Sequence, residues 1–372
     1  MSQKLTILTT TTFTKAQIII TRLESAGIEC YLRDVNLIQP SIGSGVKVLV
    51  NEDELDKAVH LLKELHLEFE APSESKDEEV AFPDLFLVPV DFSPASLNAC
   101  YYAIELAARL KARIKLVHTY GIPDIRPLSF DDTDFYSSVV VANLTEIREE
   151  AEKNIGELFL KLQNYAQNKA LTDVPISSAL INGIPEDIIL YMADTENAGM
   201  IILGISPKDF RPFEPMGKVA SRIISKAKPP VLVIPEDIEF KGMGSLNNIL
   251  YSTAFDESDF SAIHKLISLI KPFDMNIYCL HIGTGDEGPW DNIKMEGLHE
   301  YFNKVYTKAN VECDMIISPD IIKALDQFII DKKINILSVT THKRNLISKL
   351  INPSLTQKIL YHTRIPLLIF HA

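Results

Sequence analysis

Short apolar runs alternate along this chain with longer segments in which apolar residues recur at helical spacing. A short apolar run is typical of a buried strand, and spacings of three and four are typical of an amphipathic helix. After residue 82 this pattern predicts the strands Phe86–Val90, Ile114–Tyr120, Pro175–Ile181, Met200–Gly204 and Val231–Ile234. It predicts helices between them, over Ala95–Leu110, Thr145–Lys169, Pro185–Ala193 and Gly217–Ser225. Such alternation indicates a mostly parallel α/β sheet with right-handed crossovers.

The same pattern occurs twice. Val-Leu-Val-Ile-Pro after Pro230 returns as Leu-Leu-Ile-Phe-His after Pro366, 136 positions later. Asp91 and Ala254 occupy matching places 163 positions apart, so the first copy holds about 27 more residues than the second. We assign this insertion to Ile122–Leu144. A repeat of this length indicates duplicated domains and not a solenoid of short units.

The residues before the repeats form a smaller unit in the order β-α-β-β-α. Leu5–Thr10, Glu29–Asp34 and Val46–Val50 read as strands, and amphipathic helices follow the first and the third. This order predicts an α+β, ferredoxin-like fold. We predict five parts: a ferredoxin-like front domain (1–67), an acidic linker (68–81), a first repeat domain (82–238), a linker (239–246) and a second repeat domain (247–372).

Composition limits the classes of partner. The net charge is −13, the calculated pI is about 5.2 and there is no basic tract, which argues against nucleic acid or an anionic membrane. The chain shows neither a signal-peptide pattern nor the ~18 consecutive apolar residues of a membrane helix, so we predict a cytoplasmic protein. Its cysteines lack paired spacing, which indicates neither a zinc site nor a disulfide framework. They are Cys30, Cys100, Cys279 and Cys313.

Three elements of the first repeat converge on the carboxyl edge of its predicted sheet, where ligands of such folds bind. Asp91 follows the first strand, Gly204 ends the fourth, and a helix begins at Gly217 and Lys218. A carboxylate there can accept a hydrogen bond from a nucleobase amino group or a ribose hydroxyl. Glycine lets backbone N–H groups approach phosphate near the positive end of a helix. These residues predict a nucleotide site.

Short motifs in the first repeat resemble landmarks of the universal stress protein family, in the same order. They are Val-Pro-Val-Asp-Phe-Ser (88–93), Leu-Val-His (116–118), Gly-Ile-Pro (183–185) and Ile-Ile-Leu-Gly (201–204). The resemblance covers about 82–235 well and 247–371 more weakly. It implies two tandem Rossmann-like domains of the adenine nucleotide alpha hydrolase type, paired as an internal pseudo-dimer. It also implies ATP or another adenine nucleotide as cofactor.

The chain departs from the glycine motif of the family's nucleotide-binding members. That motif runs Gly, two residues, Gly, nine residues, then Gly followed by Ser or Thr, and here the places hold Gly204, Pro207, Gly217 and Lys218. Pro207 has no N–H, and a lost hydrogen bond to a charged group costs about 1.5–3 kcal/mol. The Lys218 cation at an exposed phosphate returns about 1 kcal/mol or less. We therefore expect weak binding.

The second repeat keeps less of this motif. Its matching residues are Ala254, Thr340, Lys343, Pro353 and Ser354, of which only the last retains the expected hydroxyl. We expect this copy to be a structural partner without a nucleotide. Val231–Ile234 and Leu367–Phe370 are apolar terminal strands whose edges need partners, so we expect them to lie at the contact between the repeats.

The front unit resembles a small prokaryotic signal-transducing domain related in fold to PII proteins. The resemblance covers about 4–66 and is carried by Leu23–Cys30 and by Val46–Val50 before an acidic helix start. It implies a role in signal transduction and assigns no ligand.

The sequence predicts neither a catalytic residue nor a metal site. His118 and His281 occupy the same place in different repeats, which is typical of structural histidines. Asp131, Asp132 and Asp134 lack an ordered set of further oxygen ligands. A Gly-x-Ser-x-Gly elbow and a Walker loop are both absent from the sequence.

Together these features predict a cytoplasmic universal stress or signalling protein that is not an enzyme. Its first repeat is expected to bind an adenine nucleotide weakly, with the second as its pseudo-dimer partner. Two alternatives stay open: a nucleotide-free scaffold for protein interactions in the stress response and, ranked below it, a nucleotide hydrolase. We expect a protein partner whose identity the sequence does not give, and a homodimer of whole chains is also open.

Overall fold

Two separate sheets organise the chain in the computed structural model. The structure describes residues 5–11, 16, 19–20, 22–24, 26–33, 46–61, 84–121, 133–206, 217–238, 242–253, 257–283, 285, 289–305, 310–341 and 365–371. Among these residues no helix is both long and apolar enough to cross a membrane.

The front sheet has three antiparallel strands. They are β1 (Leu5–Thr11), β2 (Cys30–Arg33) and β3 (Val46–Asn51), with β3 in the middle. The helical residues 55–61 follow β3, after a 3-10 turn over Glu52–Glu54. Leu8, Leu23 and Val48 meet in a small buried core between the sheet and its helical residues. The predicted α+β front unit is confirmed.

The first half of the large sheet is parallel, in the order β6-β5-β4-β7-β8. Its strands are β4 (Leu85–Pro89), β5 (Arg113–Tyr120), β6 (Ile176–Asn182), β7 (Met200–Ile205) and β8 (Val231–Pro235). Its helices are α1 (Pro94–Leu110), α2 (Thr133–Asn168), α3 (Pro185–Thr195) and α4 (Lys218–Lys226). This is the parallel α/β arrangement that the alternating pattern predicts, and it agrees with the Rossmann-like fold that the family resemblance implies.

The second half repeats that strand order as β11-β10-β9-β12-β13. Its strands are β9 (Asn248–Ser252), β10 (Asn276–Gly283), β11 (Val311–Ile317), β12 (Ile336–Thr341) and β13 (Leu367–His371). Its helices are α5 (Glu257–Ile270), α6 (Pro289–Val305) and α7 (Ile321–Asp331). Helix α6 packs beside β1, so the front sheet lies against the second half.

The two halves join at β8 and β13, which pair antiparallel and make one ten-stranded sheet. Leu232 lies opposite Leu368, and both belong to the apolar cluster on one face of the sheet. Val233 and Leu367 belong to the cluster on the other face. The pairing expected from the two apolar strands is therefore present, and both apolar layers continue across it.

Helix α2 starts earlier than the sequence pattern predicts. It begins at Thr133 and not at Thr145, so the second part of the assigned insertion is helical. The apolar spacing that marks an amphipathic helix is weak in this first part, since the run Val139-Val140-Val141 has no helical period.

Candidate functional site

Asp91 lies in the turn between β4 and α1, at the carboxyl edge of the sheet, and its side chain is exposed. Its Oδ1 accepts a hydrogen bond from the Ser93 N–H at 3.0 Å and one from the Ser93 hydroxyl at 2.6 Å. Desolvation acts to raise the pKa of Asp91, but these hydrogen bonds outweigh it and the pKa is lowered. The site thus offers a carboxylate that is charged at neutral pH.

Ser93 connects this carboxylate to helix α1. As the N-cap residue, it accepts a hydrogen bond from the Ser96 N–H through its hydroxyl oxygen, 3.2 Å away. Pro94 follows at the first helical position, which suits the fixed backbone angle of proline. One hydroxyl therefore caps the helix and also orients Asp91.

His118 supports the Asp91 turn from the neighbouring strand. Its Nδ1 donates to the Val90 carbonyl oxygen at 2.7 Å. Its ring packs on Phe92, with centroids 4.4 Å apart. Phe92 has a φ of 63°, which is uncommon for a residue with a bulky side chain. His281 makes the equivalent contact in the second half, to the Thr253 carbonyl oxygen at 3.0 Å. Both histidines hold the backbone in the same way in the two halves.

Gly204 lies in β7, next to β4 in the sheet. A Cβ atom at this position would come within 2.2 Å of the Ala95 carbonyl oxygen and 2.6 Å of the Ser96 nitrogen. Helix α1 therefore crosses β7 so closely that only glycine fits. The sequence pattern related this glycine to phosphate, whereas its absent side chain is already required by helix packing.

Gly217 is the N-cap residue of α4, with a φ of 72° that favours glycine. It supplies no side-chain hydrogen bond to the N–H groups of the first turn. The ammonium of Lys218 lies 3.3 Å from Glu186 Oε1, with the Lys218 side chain 67% exposed and the Glu186 side chain 2% exposed. Burial acts to raise the pKa of Glu186, but its backbone hydrogen bond and the cations of Lys218 and Arg222 lower it on balance.

Glu186 was not among the residues that sequence patterns single out. It is the second residue of α3 and follows the Gly-Ile-Pro motif directly. An acidic residue in the first turn of a helix is ordinary, so the sequence carried no signal for a contact with Lys218. The contact gives the Lys218 cation a buried carboxylate as a partner within the protein.

The second half fills the equivalent space with its own side chains. Tyr251 donates a hydrogen bond to Asp259 Oδ1 at 2.7 Å, and its hydroxyl lies 2.8 Å from that of Thr340. Thr253 donates to the other oxygen of Asp259 at 2.7 Å. All four side chains are buried. Thr340 stands where the first half has Gly204, so this polar cluster occupies the region of closest helix approach.

Several predicted positions lie outside the described residues. They are Asp131, Asp132, Pro207, Ala254, Lys343, Pro353 and Ser354. Asp134 lies in α2, but its side chain is outside the description. Within the described part of the chain, no group of three or more His, Cys, Asp or Glu side chains is placed to hold a metal ion.

Comparisons with known proteins match two segments of the chain to family models. Residues 84–235 match the model of the universal stress protein family. Residues 5–66 match the model described as "Putative prokaryotic signal transducing protein".

Relatives and solved structures agree with the first of these families. Universal stress protein MJ0531 of Methanocaldococcus jannaschii is 26% identical over 148 residues, which are 40% of this chain and 79% of the relative. Universal stress protein MJ0577 of the same organism is 29% identical over 157 residues, or 40% of this chain and 92% of the relative. A universal stress protein structure from Archaeoglobus fulgidus shares the fold, with a TM-score of 0.58 and 14% identity over 78% of this chain and 97% of that one.

Proposed function

We propose that this chain, whose residues 84–235 belong to the universal stress protein family and follow a prokaryotic signal transducing domain, binds one adenine nucleotide in its first half. The site lies at the carboxyl edge of β4 and β7. Asp91 binds the base or ribose, and the backbone of Gly204, Gly217 and Lys218 faces the phosphates. We propose three domains, residues 1–67, 82–238 and 247–372, joined by linkers at residues 68–81 and 239–246.

The strand order carries this proposal. From β4 the chain continues to β5 and β6 on one side, and then returns to β7 and β8 on the other. The direction therefore switches between β4 and β7, and ligands of open α/β sheets bind in the crevice that such a switch creates. Asp91 follows β4 and Gly204 lies in β7, so the two predicted residues flank the crevice.

The chemistry of the described residues favours weak binding. Asp91 presents a charged acceptor, which suits an amino or hydroxyl group and repels phosphate. Phosphate is then left to the N–H groups at the start of α4, where the N-cap glycine does not compete for them. The Lys218 ammonium is shared with Glu186, which reduces its attraction for a phosphate. We propose ATP or a related adenine nucleotide as the ligand.

We propose that the second half is the structural partner in an internal pseudo-dimer. Its buried cluster around Asp259 lies at the positions that match the contact of helix α1 with Gly204 in the first half. The paired strands β8 and β13 hold the two halves in one sheet. In this account the second half stabilises the first and presents helix α6 to the front domain.

A nucleotide-free scaffold is the second candidate, and one observation favours it. Both Gly204 and Lys218 already have partners within the protein, namely the Ala95 backbone and Glu186. The glycine and the lysine thus have structural reasons to be present without a ligand. In either case we propose a role in stress signalling through a protein partner, in the cytoplasm, and not catalysis.

Equilibrium dialysis with ATP, ADP and AMP separates these candidates. The proposed function predicts saturable binding of at least one of the three nucleotides, with no release of inorganic phosphate from ATP. Absence of binding at about millimolar nucleotide, equivalent to less than about 4 kcal/mol, supports the scaffold and overturns the proposal. If the wild-type protein hydrolyses ATP over multiple turnovers and Asp91→Ala abolishes this hydrolysis, the proposal that the protein is not an enzyme is overturned.

A further inference from the structure

Cys279 and Cys313 lie side by side on neighbouring strands of the second half. Residue 279 of β10 is paired in register with residue 313 of the parallel strand β11. Neighbouring strands are about 4.8 Å apart, and in-register neighbours point to the same face of a sheet. A disulfide needs a Cα to Cα distance of about 4.4–6.8 Å. The register therefore brings the two thiols within bonding range.

The two thiols differ in their access to solvent. Cys279 is 0% exposed and belongs to the apolar cluster beneath α5 and α6. Cys313 is half-buried against that cluster, on β11, which is the last strand at this end of the sheet. Both are free thiols, and Cys30 and Cys100 lie elsewhere, in the front sheet and in α1.

We infer that Cys279 and Cys313 are a redox-active dithiol, a modification site that a hydroperoxide closes into a cross-strand disulfide. Cys313 is the thiol that a small oxidant reaches first, because it is the half-buried member of the pair. Cys279 is the resolving thiol, because its paired position leaves it next to any product formed on Cys313.

The oxidation proceeds in two balanced steps. The Cys313 thiolate attacks one oxygen of hydrogen peroxide, the O–O bond breaks, and Cys313 sulfenic acid and hydroxide are formed. The Cys279 sulfur then attacks the Cys313 sulfur, the S–O bond breaks, and the Cys279 proton leaves with the hydroxyl group as water. The hydroxide from the first step takes up the proton that the Cys313 thiol released on forming its thiolate. The two sulfurs together lose two electrons, and peroxide is reduced to two waters.

The surroundings make this a slow dithiol. A hydrogen bond with Cys313 and burial raise the pKa of Cys279 well above its usual value, and the nearby charges of Asp259 and Asp314 raise it further. Cys279 therefore stays a protonated thiol until Cys313 has reacted. Because Cys279 attacks as a protonated thiol, we expect the closure of the disulfide to be slow.

The crosslink would close the segment that carries α6. That helix lies between Cys279 and Cys313 in the chain and packs beside β1 of the front domain. Oxidation would thus crosslink β10 to β11, the two strands that flank α6 in the chain. This inference does not depend on nucleotide binding.

Intact-mass measurement and peptide mapping of the full chain test the inference. After treatment with excess hydrogen peroxide and before alkylation, we expect a species lighter by about 2 Da, the mass of two hydrogens. The remaining free thiols are then alkylated in denaturant. A digest without reductant should contain one crosslinked pair of peptides, joining Cys279 to Cys313, that dithiothreitol separates.

The variants Cys30→Ser and Cys313→Ser are matched controls. Cys30→Ser should keep the crosslink, and Cys313→Ser should lose it. The inference is overturned if wild-type protein gains oxygen on Cys313 without forming the linked peptides. It is equally overturned if both thiols are still alkylated after peroxide, or if Cys279 is linked only to another cysteine. The mapping of wild-type protein decides the matter even if a variant folds poorly.

Discussion

The hydroxyl groups of Tyr251 and Thr340 lie 2.8 Å apart inside the second half, on neighbouring strands. The first half has Val88 and Gly204 at the matching positions. At these positions the second half therefore has a buried polar contact, whereas in the first half helix α1 packs directly on Gly204. The two halves therefore differ at the place where we propose a nucleotide site in the first half alone.

Gly204→Ala should destabilise the first half. A methyl group would stand 2.2 Å from the Ala95 carbonyl oxygen, so either α1 or β7 must shift. We expect the free energy of unfolding to fall by about 1–3 kcal/mol, measured by urea denaturation of the full chain.

Gly156→Ala is the matched control for that variant. Gly156 lies within α2, and an added Cβ would have no neighbour within 4 Å outside its own helix. Alanine should therefore stabilise the protein by about 0.5–1 kcal/mol. Equal effects of the two substitutions would contradict the close approach of α1 to β7.

Asp259→Ala should destabilise the second half. The substitution removes the acceptor of the hydrogen bonds from Tyr251 and Thr253, in a region without exposed surface. We expect a loss of about 2–4 kcal/mol in the free energy of unfolding. Ser96→Ala, at the matching place in the first half, should cost about 1 kcal/mol or less, since its hydroxyl interacts only with the Ser93 carbonyl and the exposed Asp91 carboxylate among the contacts described. A larger loss in Ser96→Ala would contradict the assigned asymmetry.

His371 should make the join between the halves sensitive to acid. Its Nε2 donates to the Ile224 carbonyl oxygen of α4 at 2.7 Å, and burial lowers its pKa despite this bond. In the unfolded chain His371 binds a proton as pH falls through about 6.5, whereas the folded protein resists this protonation. The contribution of His371 to stability is therefore fully present above about pH 6.5 and is lost as the pH falls further.

His371→Gln keeps an N–H donor and removes the titration. Urea denaturation at about pH 7.5 and about pH 5.5 should show a smaller loss of stability on acidification in this variant than in wild type. A loss of equal size in both proteins would show that His371 does not titrate as described.

Lys218→Ala tests the contact with Glu186. The variant removes the cation that lies 3.3 Å from the buried Glu186 carboxylate, and since Lys218 is largely exposed we expect a cost of about 1 kcal/mol. Combining it with Glu186→Gln in a double-mutant cycle should recover part of that cost. Strictly additive effects on unfolding would mean that the two side chains do not interact.

The sequence predicted most strands of the large sheet because their apolar runs are short and flanked by turn residues. It placed β4 and β7 correctly, and with them the positions of Asp91 and Gly204 at one edge. It also indicated the pairing of β8 with β13, since both are wholly apolar and end their repeats. These inferences depend on local pattern and on connection rules, which a single sequence contains.

Contacts between distant elements could not be predicted in this way. The neighbours of Gly204, Lys218 and Cys279 are set by how helices cross strands and by the register of parallel strands. The register between β10 and β11 is a contact between distant segments, so the spacing of Cys279 and Cys313 along the chain gave no sign of their proximity. The start of α2 was also missed, since its first turns lack helical periodicity.

Calorimetric titration of ATP, ADP and AMP into the full chain tests the central claim most directly. The account predicts one adenine nucleotide per chain, with affinity reduced at least about tenfold in Asp91→Ala, equivalent to one lost charged hydrogen bond. The control Asp173→Ala, at an exposed loop position after α2, should bind as wild type does. Two nucleotides per chain, no heat with any of the three at about millimolar concentration, or unchanged affinity in a folded Asp91→Ala protein would contradict the account.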